Sequence, residues 1–192
     1  MQQQMMALCA NLLILFLEFA GLRISISDRK WKVLAYYTQI SNMFTALASL
    51  GFVLLGQRPA ITTLRFTSAS MLTMTCLISI FAPASMSEGF KKMMLSGNGI
   101  YHHTFCPILS VASYLLWEAH IPSTEAILLP AAITLLYGLS MVWVNAKGYF
   151  TGPYFFFEVR RMKAYATALW MSAIMVFISL TGYGLYRAPE LF

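Results

Sequence analysis

Long apolar stretches separated by short polar connections set the pattern of this chain. A helix that crosses a membrane needs about 20 mostly apolar residues. Six stretches reach that length, at about residues 5–22, 32–56, 62–82, 99–117, 124–145 and 164–186. The connections carry Gly, Pro and Ser, which interrupt helices. The pattern predicts an all-α integral membrane protein, a compact bundle of six transmembrane helices that forms a single domain over residues 1–192.

The second stretch contains polar side chains at helical spacing. They follow the pattern i, i+3, i+4, i+7 and i+11 and are Thr38, Ser41, Asn42, Thr45 and Ser49. These positions share one stripe of a helix, which in hydrocarbon must face protein or water. If the helix enters the membrane at Trp31, Thr38 lies about 10 Å inside it. A lone Thr there most simply bonds the carbonyl four residues earlier, whereas the Asn42 amide needs other partners.

Charged residues are rare and unevenly placed. Of 192 residues, 59% are hydrophobic and 10% charged, and the mean hydropathy is +0.67. Soluble domains are about one quarter charged, so the net charge of +6 reports membrane orientation here, and no nucleic-acid partner is expected. The odd-numbered connections hold Arg23, Arg29, Lys30, Lys32, Lys91, Lys92, Lys147, Arg160, Arg161 and Lys163. The other face has Arg58, Arg65 and Arg187. This bias predicts a multi-pass cell-membrane protein with odd connections cytoplasmic and both termini outside.

The fourth stretch carries two adjacent histidines before a proline, in Tyr101-His102-His103-Thr104-Phe105-Cys106-Pro107. Pro107 has no N–H, so the carbonyl of residue 103 loses its helical partner and a kink is expected. Histidine accepts a proton near neutral pH, and a hydroxyl becomes a nucleophile beside such a base. Because Thr38 and His103 enter from the same side at similar depth, they are candidates for a nucleophile and its base.

Cys106 opens an alternative reading of the same histidines. His102 and Cys106 are spaced i, i+4 and His103 and Cys106 i, i+3, so either pair could ligate a metal or form a Cys/His dyad. Too few other ligands lie nearby for a metal site, and we expect neither a metal nor a cofactor.

Two acidic residues lie at the edges of apolar stretches. Glu18 is near the basic end of the first stretch, where it most simply reaches the surface or pairs with Arg23; a proton relay is the alternative. Glu118 is expected to be solvated in an outer connection.

The fifth connection is aromatic from Gly148 to Glu158 and is followed by cations at Arg160, Arg161 and Lys163. An aromatic belt beside a positive-inside cluster explains this composition. Alternatively, the segment is a lid over a site, and the cations hold an anionic head group or carboxylate of a substrate. Glu158 would then pair with these cations or orient a histidine.

Three motifs together resemble a known family. They are Tyr37-Thr38-Gln39-Ile40-Ser41-Asn42, the stretch from His103 to Pro107, and the stretch from Pro153 to Glu158. They look like those of the androgen-induced-gene and androgen-dependent TFPI-regulating protein family, including its small microbial relatives. The resemblance implies a membrane threonine hydrolase that cleaves fatty acid esters of hydroxy fatty acids. Thr38 would be the nucleophile and His103 the base, although the spacing in some animal members corresponds to His102.

The expected function is therefore hydrolysis of a membrane lipid or fatty-acyl ester. Asn42, Ser41 or a free backbone N–H would hold the oxyanion. The alternative is a small polytopic transporter or lipid-binding protein without hydrolase activity, in which Glu18, Asn42 and the two histidines form a polar pathway.

Overall fold

The computed structural model describes residues 1–81, 89–118, 123–151 and 154–191, and these residues form helices without strands. The α-helices are α1 (Gln2–Arg29), α2 (Tyr37–Leu55), α3 (Pro59–Phe81), α4 (Gly89–Leu95), α5 (Cys106–Leu116), α6 (Leu128–Ala146) and α7 (Ala164–Arg187). A π-helical segment, Ile100–Phe105, leads into α5. Short 3₁₀ helices cover Lys30–Ala35, Thr124–Ile127, Phe155–Phe157 and Ala188–Leu191. Residue 82 of the third predicted segment and Pro153 of the aromatic motif lie outside the described residues.

Five of the described helices are long and apolar enough to cross a membrane. They are Gln2–Asp28, Tyr37–Leu55, Pro59–Ile80, Thr124–Ala146 and Ala164–Glu190. They correspond to five of the six predicted segments, and they support a membrane protein. The remaining predicted segment, 99–117, is divided between the π-helical segment and the short helix α5.

Pro107 explains this division. Its ring nitrogen cannot donate a hydrogen bond, so the regular ladder is disturbed in the turn before it. The N–H of Cys106 bonds the carbonyl of Tyr101, five residues earlier, which is the spacing of a π-helix. The wider turn directs His102 and His103 toward different helices.

The second helix begins later than its apolar stretch. Residues Lys30–Ala35 form a 3₁₀ helix, and Tyr36 is extended, with φ −80° and ψ 134°. Thr38 therefore lies in the first turn of α2, and the prediction that it lies well inside a helix starting near residue 32 is wrong. Hydropathy cannot detect a break between two helical segments of similar composition.

Helix α3 is the centre of the bundle. In its apolar stretch 67% of the residues are buried, against 17% to 39% in the other long helices, and it packs against α2, α5, α6 and α7. Its hydroxyl side chains bond carbonyls of their own helix four residues earlier, which lets neighbouring helices approach closely. They are Thr67, Ser70, Thr73 and Thr75.

Two charged residues assigned to the outer face are in the interior instead. Arg65 lies within α3 and is fully buried, and Glu118, which was expected to be solvated, is 2% exposed. The two form an ion pair of 2.9 Å, because neither charge is stable in the bundle without the other. Without Arg65, the Lys and Arg residues number ten in the odd-numbered connections against two on the other face, Arg58 and Arg187.

Candidate functional site

The polar stripe of α2 faces protein, as predicted. Ser41, Asn42, Thr45 and Ser49 are completely buried. The Ser41 hydroxyl lies 3.2 Å from that of Thr75 on α3. The Asn42 amide donates to the carbonyl of His102 at 3.4 Å, so the stripe contacts both α3 and the π-helical segment.

Ser41 and Asn42 both bond the backbone of Thr38. The Ser41 hydroxyl donates to the Thr38 carbonyl at 2.9 Å, and the Asn42 amide donates to the same oxygen at 2.7 Å. Since the second donor of Asn42 is directed at the carbonyl of His102, these side chains stabilise the start of α2. The geometry does not support the expectation that they hold an oxyanion.

The Thr38 side chain is partly buried, and Tyr154 of the aromatic segment 154–157 lies beside it. The Tyr154 hydroxyl is within hydrogen-bonding range of the Thr38 side chain and of the backbone of Tyr37 and Thr38. Burial raises the pKa of this phenol, and the hydrogen bonds partly offset the rise. The first N–H groups of a helix have no partner within it, and the Tyr154 hydroxyl lies near those of Tyr37 and Thr38.

The aromatic segment is held against α2 by its neighbours. The Tyr154 ring lies 6.1 Å from that of Tyr36, and Phe157 is 2% exposed and packs on Tyr137. The Tyr137 hydroxyl donates to the carbonyl of Ala35 at 2.8 Å. The aromatic segment therefore packs beside the start of α2, close to Thr38.

His103 is hydrogen-bonded to a serine that the sequence did not single out. Its Nδ1 lies 2.6 Å from the hydroxyl oxygen of Ser79, which is 4% exposed on α3. Ser79 follows Thr75 by four residues and so continues the hydroxyl face of α3. That spacing was the available signal, but only the packing of α3 on the π-helical segment identifies His103 as the partner.

The Ser79–His103 bond lies at the level of Thr38 in the bundle. Helices α2 and α3 are joined by a short connection and are antiparallel, and Ser41 faces Thr75. At 1.5 Å per residue, Thr38 is about 4.5 Å from Ser41 along the axis, and Ser79 is about 6 Å from Thr75 in the same direction. The predicted equality of depth is therefore consistent with the helix register.

His102 and Glu18 meet in the interior. Nε2 of His102 lies 3.6 Å from Oε2 of Glu18, and the two residues are 0% and 3% exposed. The Glu18 carboxyl also lies within hydrogen-bonding range of the Cys106 thiol. Glu18 therefore faces the π-helical segment, and the expectation that it reaches the surface or pairs with the exposed Arg23 is wrong.

A second buried polar network surrounds Arg65. Its Nε and one terminal nitrogen bond the Glu118 carboxylate, and its other terminal nitrogen lies within 3.4 Å of three serine hydroxyls. These are Ser49, Ser68 and Ser110. Asn11 of α1 and Ser113 of α5 donate to the same carboxylate. The network joins four helices and satisfies each guanidinium nitrogen.

The cationic segment, residues 158–163, follows the aromatic segment in the chain. Glu158 bonds Arg161 at 3.0 Å, so its pairing with a cation is confirmed. Glu158, Arg160 and Arg161 line an open cavity of about 330 Å³ with the side chain of Asn145. The Lys163 amine lies 5.9 Å from the Tyr165 ring centre and is not among the lining residues.

The described residues contain no group of three or more His, Cys, Asp or Glu side chains placed to hold a metal ion. His102 and Cys106 instead share contact with Glu18. The chain matches no family model, no curated protein and no solved structure.

Proposed function

We propose that this protein is a membrane-embedded hydrolase of a lipid ester, with Thr38 as nucleophile and His103 as base. The resemblance of its motifs to membrane threonine hydrolases implies these roles. The observation that carries the proposal is the 2.6 Å hydrogen bond between His103 Nδ1 and Ser79, at the depth of Thr38.

This bond can orient the imidazole. When Nδ1–H donates to the Ser79 oxygen, Nε2 carries the lone pair and acts as the base. The same division of roles operates in serine hydrolases, where a group at Nδ1 fixes the tautomer and Nε2 takes the proton. Nε2 would remove the proton of Thr38 as its oxygen attacks the ester carbonyl, and water would then hydrolyse the acyl-enzyme.

The first turn of α2 supplies donors for the oxyanion. The N–H groups of Tyr37 and Thr38 lie at the helix N-terminus beside the Thr38 hydroxyl, and the Tyr154 hydroxyl lies against them. Free amides at this position stabilise developing negative charge. We infer that the ester oxygen takes the position of the Tyr154 hydroxyl when segment 154–157 moves.

Substrate reaches this site from the inner leaflet in the proposed arrangement. The π-helical segment and α5 together form the sixth crossing, and the basic connections lie in the cytoplasm. The arginine-lined cavity beside Glu158 binds an anionic head group or carboxylate of the substrate. The apolar chains of a fatty-acyl ester lie among the exposed apolar side chains of the bundle.

Fluorophosphonate labelling of the purified protein tests the nucleophile. Thr38→Val keeps the shape of the side chain without the hydroxyl and is expected to abolish labelling, whereas Thr38→Ser keeps it. Thr73→Val is the matched control, because the Thr73 hydroxyl bonds its own helix at Ala69. His103→Ala is also expected to abolish labelling.

Labelling that survives in Thr38→Val but disappears in Ser79→Ala would show Ser79 to be the nucleophile. Labelling that survives in both variants, or its absence from the wild type, would contradict a hydroxyl nucleophile at this level of the bundle.

A further inference from the structure

Glu18 and His102 form a buried acid–base contact apart from the Ser79–His103 bond. Glu18 comes from α1 and His102 from the π-helical segment, and both are almost fully removed from solvent. A carboxyl in the interior of an apolar bundle is costly unless it is neutralised by a proton or a partner.

The contact differs from the Arg65–Glu118 network in its hydrogen bonding. Each nitrogen of Arg65 has an oxygen partner, as expected of a structural ion pair. Among the described residues, Oε1 of Glu18, both ring nitrogens of His102 and Oδ1 of Asn42 make no hydrogen bond of good geometry, although the His102 ring also lies near the backbone of Glu18. In the Arg65 network, Oδ1 of Asn11 is the corresponding exception. Buried polar groups without a partner cost stability, and here several of them converge on one acid–base contact.

The backbone of α1 is adapted to this contact. Gly21 lies three residues after Glu18, on the same face, and a Cβ atom there would overlap Nε2 of His102. Only glycine leaves room for the imidazole to approach α1. The sequence therefore favours the contact at the expense of helix propensity.

The groups around the pair are mostly uncharged. Those facing it are the Cys106 thiol of α5, the Asn42 amide of α2 and, at longer range, the Arg65 guanidinium of α3. The π-helical segment contacts α4 through the Thr104 hydroxyl, which donates to the backbone carbonyl of Met94. A pair holding one proton has no net charge, either as carboxylic acid and imidazole or as carboxylate and imidazolium. Loss of that proton would leave a negative charge in this interior.

We propose that Glu18 and His102 together bind one proton and form an internal proton-binding site, separate from the proposed catalytic residues. Toward the basic end of the bundle, the partly exposed Asn98 donates to Ser25 at 2.9 Å, and Ser25 donates to the carbonyl of Gly21 at 2.8 Å. Transfer places the proton on Glu18 Oε2 or His102 Nε2, and no bond between heavy atoms changes.

Two spectroscopic measurements on the purified protein test the site. Infrared difference spectra between wild type and Glu18→Gln detect a protonated carboxyl, and ¹⁵N chemical shifts of His102 detect an imidazolium. At neutral pH we expect either a protonated Glu18 carboxyl or a His102 imidazolium. We expect this proton to remain bound at a pH at which free carboxyl and imidazole groups are deprotonated. An ionised Glu18 together with a neutral His102 at neutral pH would overturn the proposal.

Matched variants keep the test independent of folding and of hydrolase activity. Glu125→Gln is the matched control and removes an exposed carboxyl. Its infrared difference spectrum is expected to show the loss of an ionised carboxylate at neutral pH and no protonated carboxyl. If Glu18→Gln does not fold, Glu18→Asp retains a carboxyl whose band should shift with the altered distance to His102. An unshifted carboxyl signal in Glu18→Asp would overturn the assignment. Neither measurement involves an ester, so failure of the proposed hydrolysis leaves this result unaffected.

Discussion

Arg65 of α3 and Glu118, just beyond α5, form a 2.9 Å ion pair that is closed off from solvent. The guanidinium also bonds hydroxyls of α2, α3 and α5, while α1 reaches the carboxylate through Asn11. Four helices, α1, α2, α3 and α5, therefore depend on one pair of charges.

Breaking this ion pair is expected to destabilise the fold strongly. Glu118→Gln leaves the Arg65 charge buried without its counter-charge and should lower the free energy of unfolding by about 3 to 5 kcal/mol. The double variant Arg65→Met, Glu118→Leu should lose less than either single variant. Equilibrium unfolding in detergent measures both. Arg187→Met, which removes a half-exposed pair with Glu190, should cost at most about 1 kcal/mol. Equal losses in Glu118→Gln and Arg187→Met would contradict the prediction.

Ser79 is expected to assist His103 without being essential. Ser79→Ala removes the group at Nδ1 and should slow fluorophosphonate labelling roughly tenfold, whereas loss of the base in His103→Ala should slow it about 10²- to 10⁴-fold. Ser79→Thr keeps a hydroxyl and should label at a rate closer to the wild type. The ¹⁵N chemical shift of His103 separates a role of Ser79 in orienting the imidazole from a role in packing. Ser79→Ala should change the tautomer of His103, whereas Ser79→Thr should not. An unchanged tautomer would argue against the orienting role.

Gly21→Ala is expected to destabilise the protein, although alanine is the better helix former. Its methyl group would overlap the His102 ring, and overpacking of this kind costs about 1 to 3 kcal/mol. Gly184→Ala is the matched control on α7, where a Cβ atom meets nothing within 4 Å. There the substitution should stabilise by up to about 1 kcal/mol. Thermal unfolding of both variants decides the point, and a stabilised Gly21→Ala would show that His102 does not contact α1.

Tyr154 should contribute to the pH dependence of stability. Its pKa in the folded protein is raised by burial above the value of about 10 in the unfolded chain. The folded state therefore retains the phenol proton longer, so this contribution is complete below about pH 10 and is lost as the pH rises toward the folded-state pKa. Tyr154→Phe should weaken the alkaline loss of stability. Tyr149→Phe, at a side chain 74% exposed, serves as control. Identical alkaline slopes for wild type and Tyr154→Phe would refute this.

The number of membrane crossings has a direct test. If the π-helical segment and α5 cross together, both termini lie on the same side, and the basic bias predicts that this side is outside. If only the five long helices cross, the termini lie on opposite sides. Reporter fusions at each terminus distinguish the two cases. A cytoplasmic signal from either terminus would contradict the proposed orientation.

Local sequence determined much of the architecture. Apolar stretches of sufficient length predict long helices, because each helix satisfies its own backbone and leaves its side chains to face lipid or protein. The polar stripe from Ser41 to Ser49 could be assigned to the interior for the same reason. Pro107 predicted a disturbed turn, since the missing N–H acts on the residues immediately before it.

Only the tertiary structure decided which polar groups meet. Ser79 pairs with His103, Glu18 with His102 and Arg65 with Glu118, and each pair joins residues far apart in the chain. Hydropathy placed Arg65 and Glu118 at the surface, because it assigns a charge by its neighbours in sequence. A buried charge is stable only through a specific partner, and helix packing and the π-helical turn determine where that partner lies.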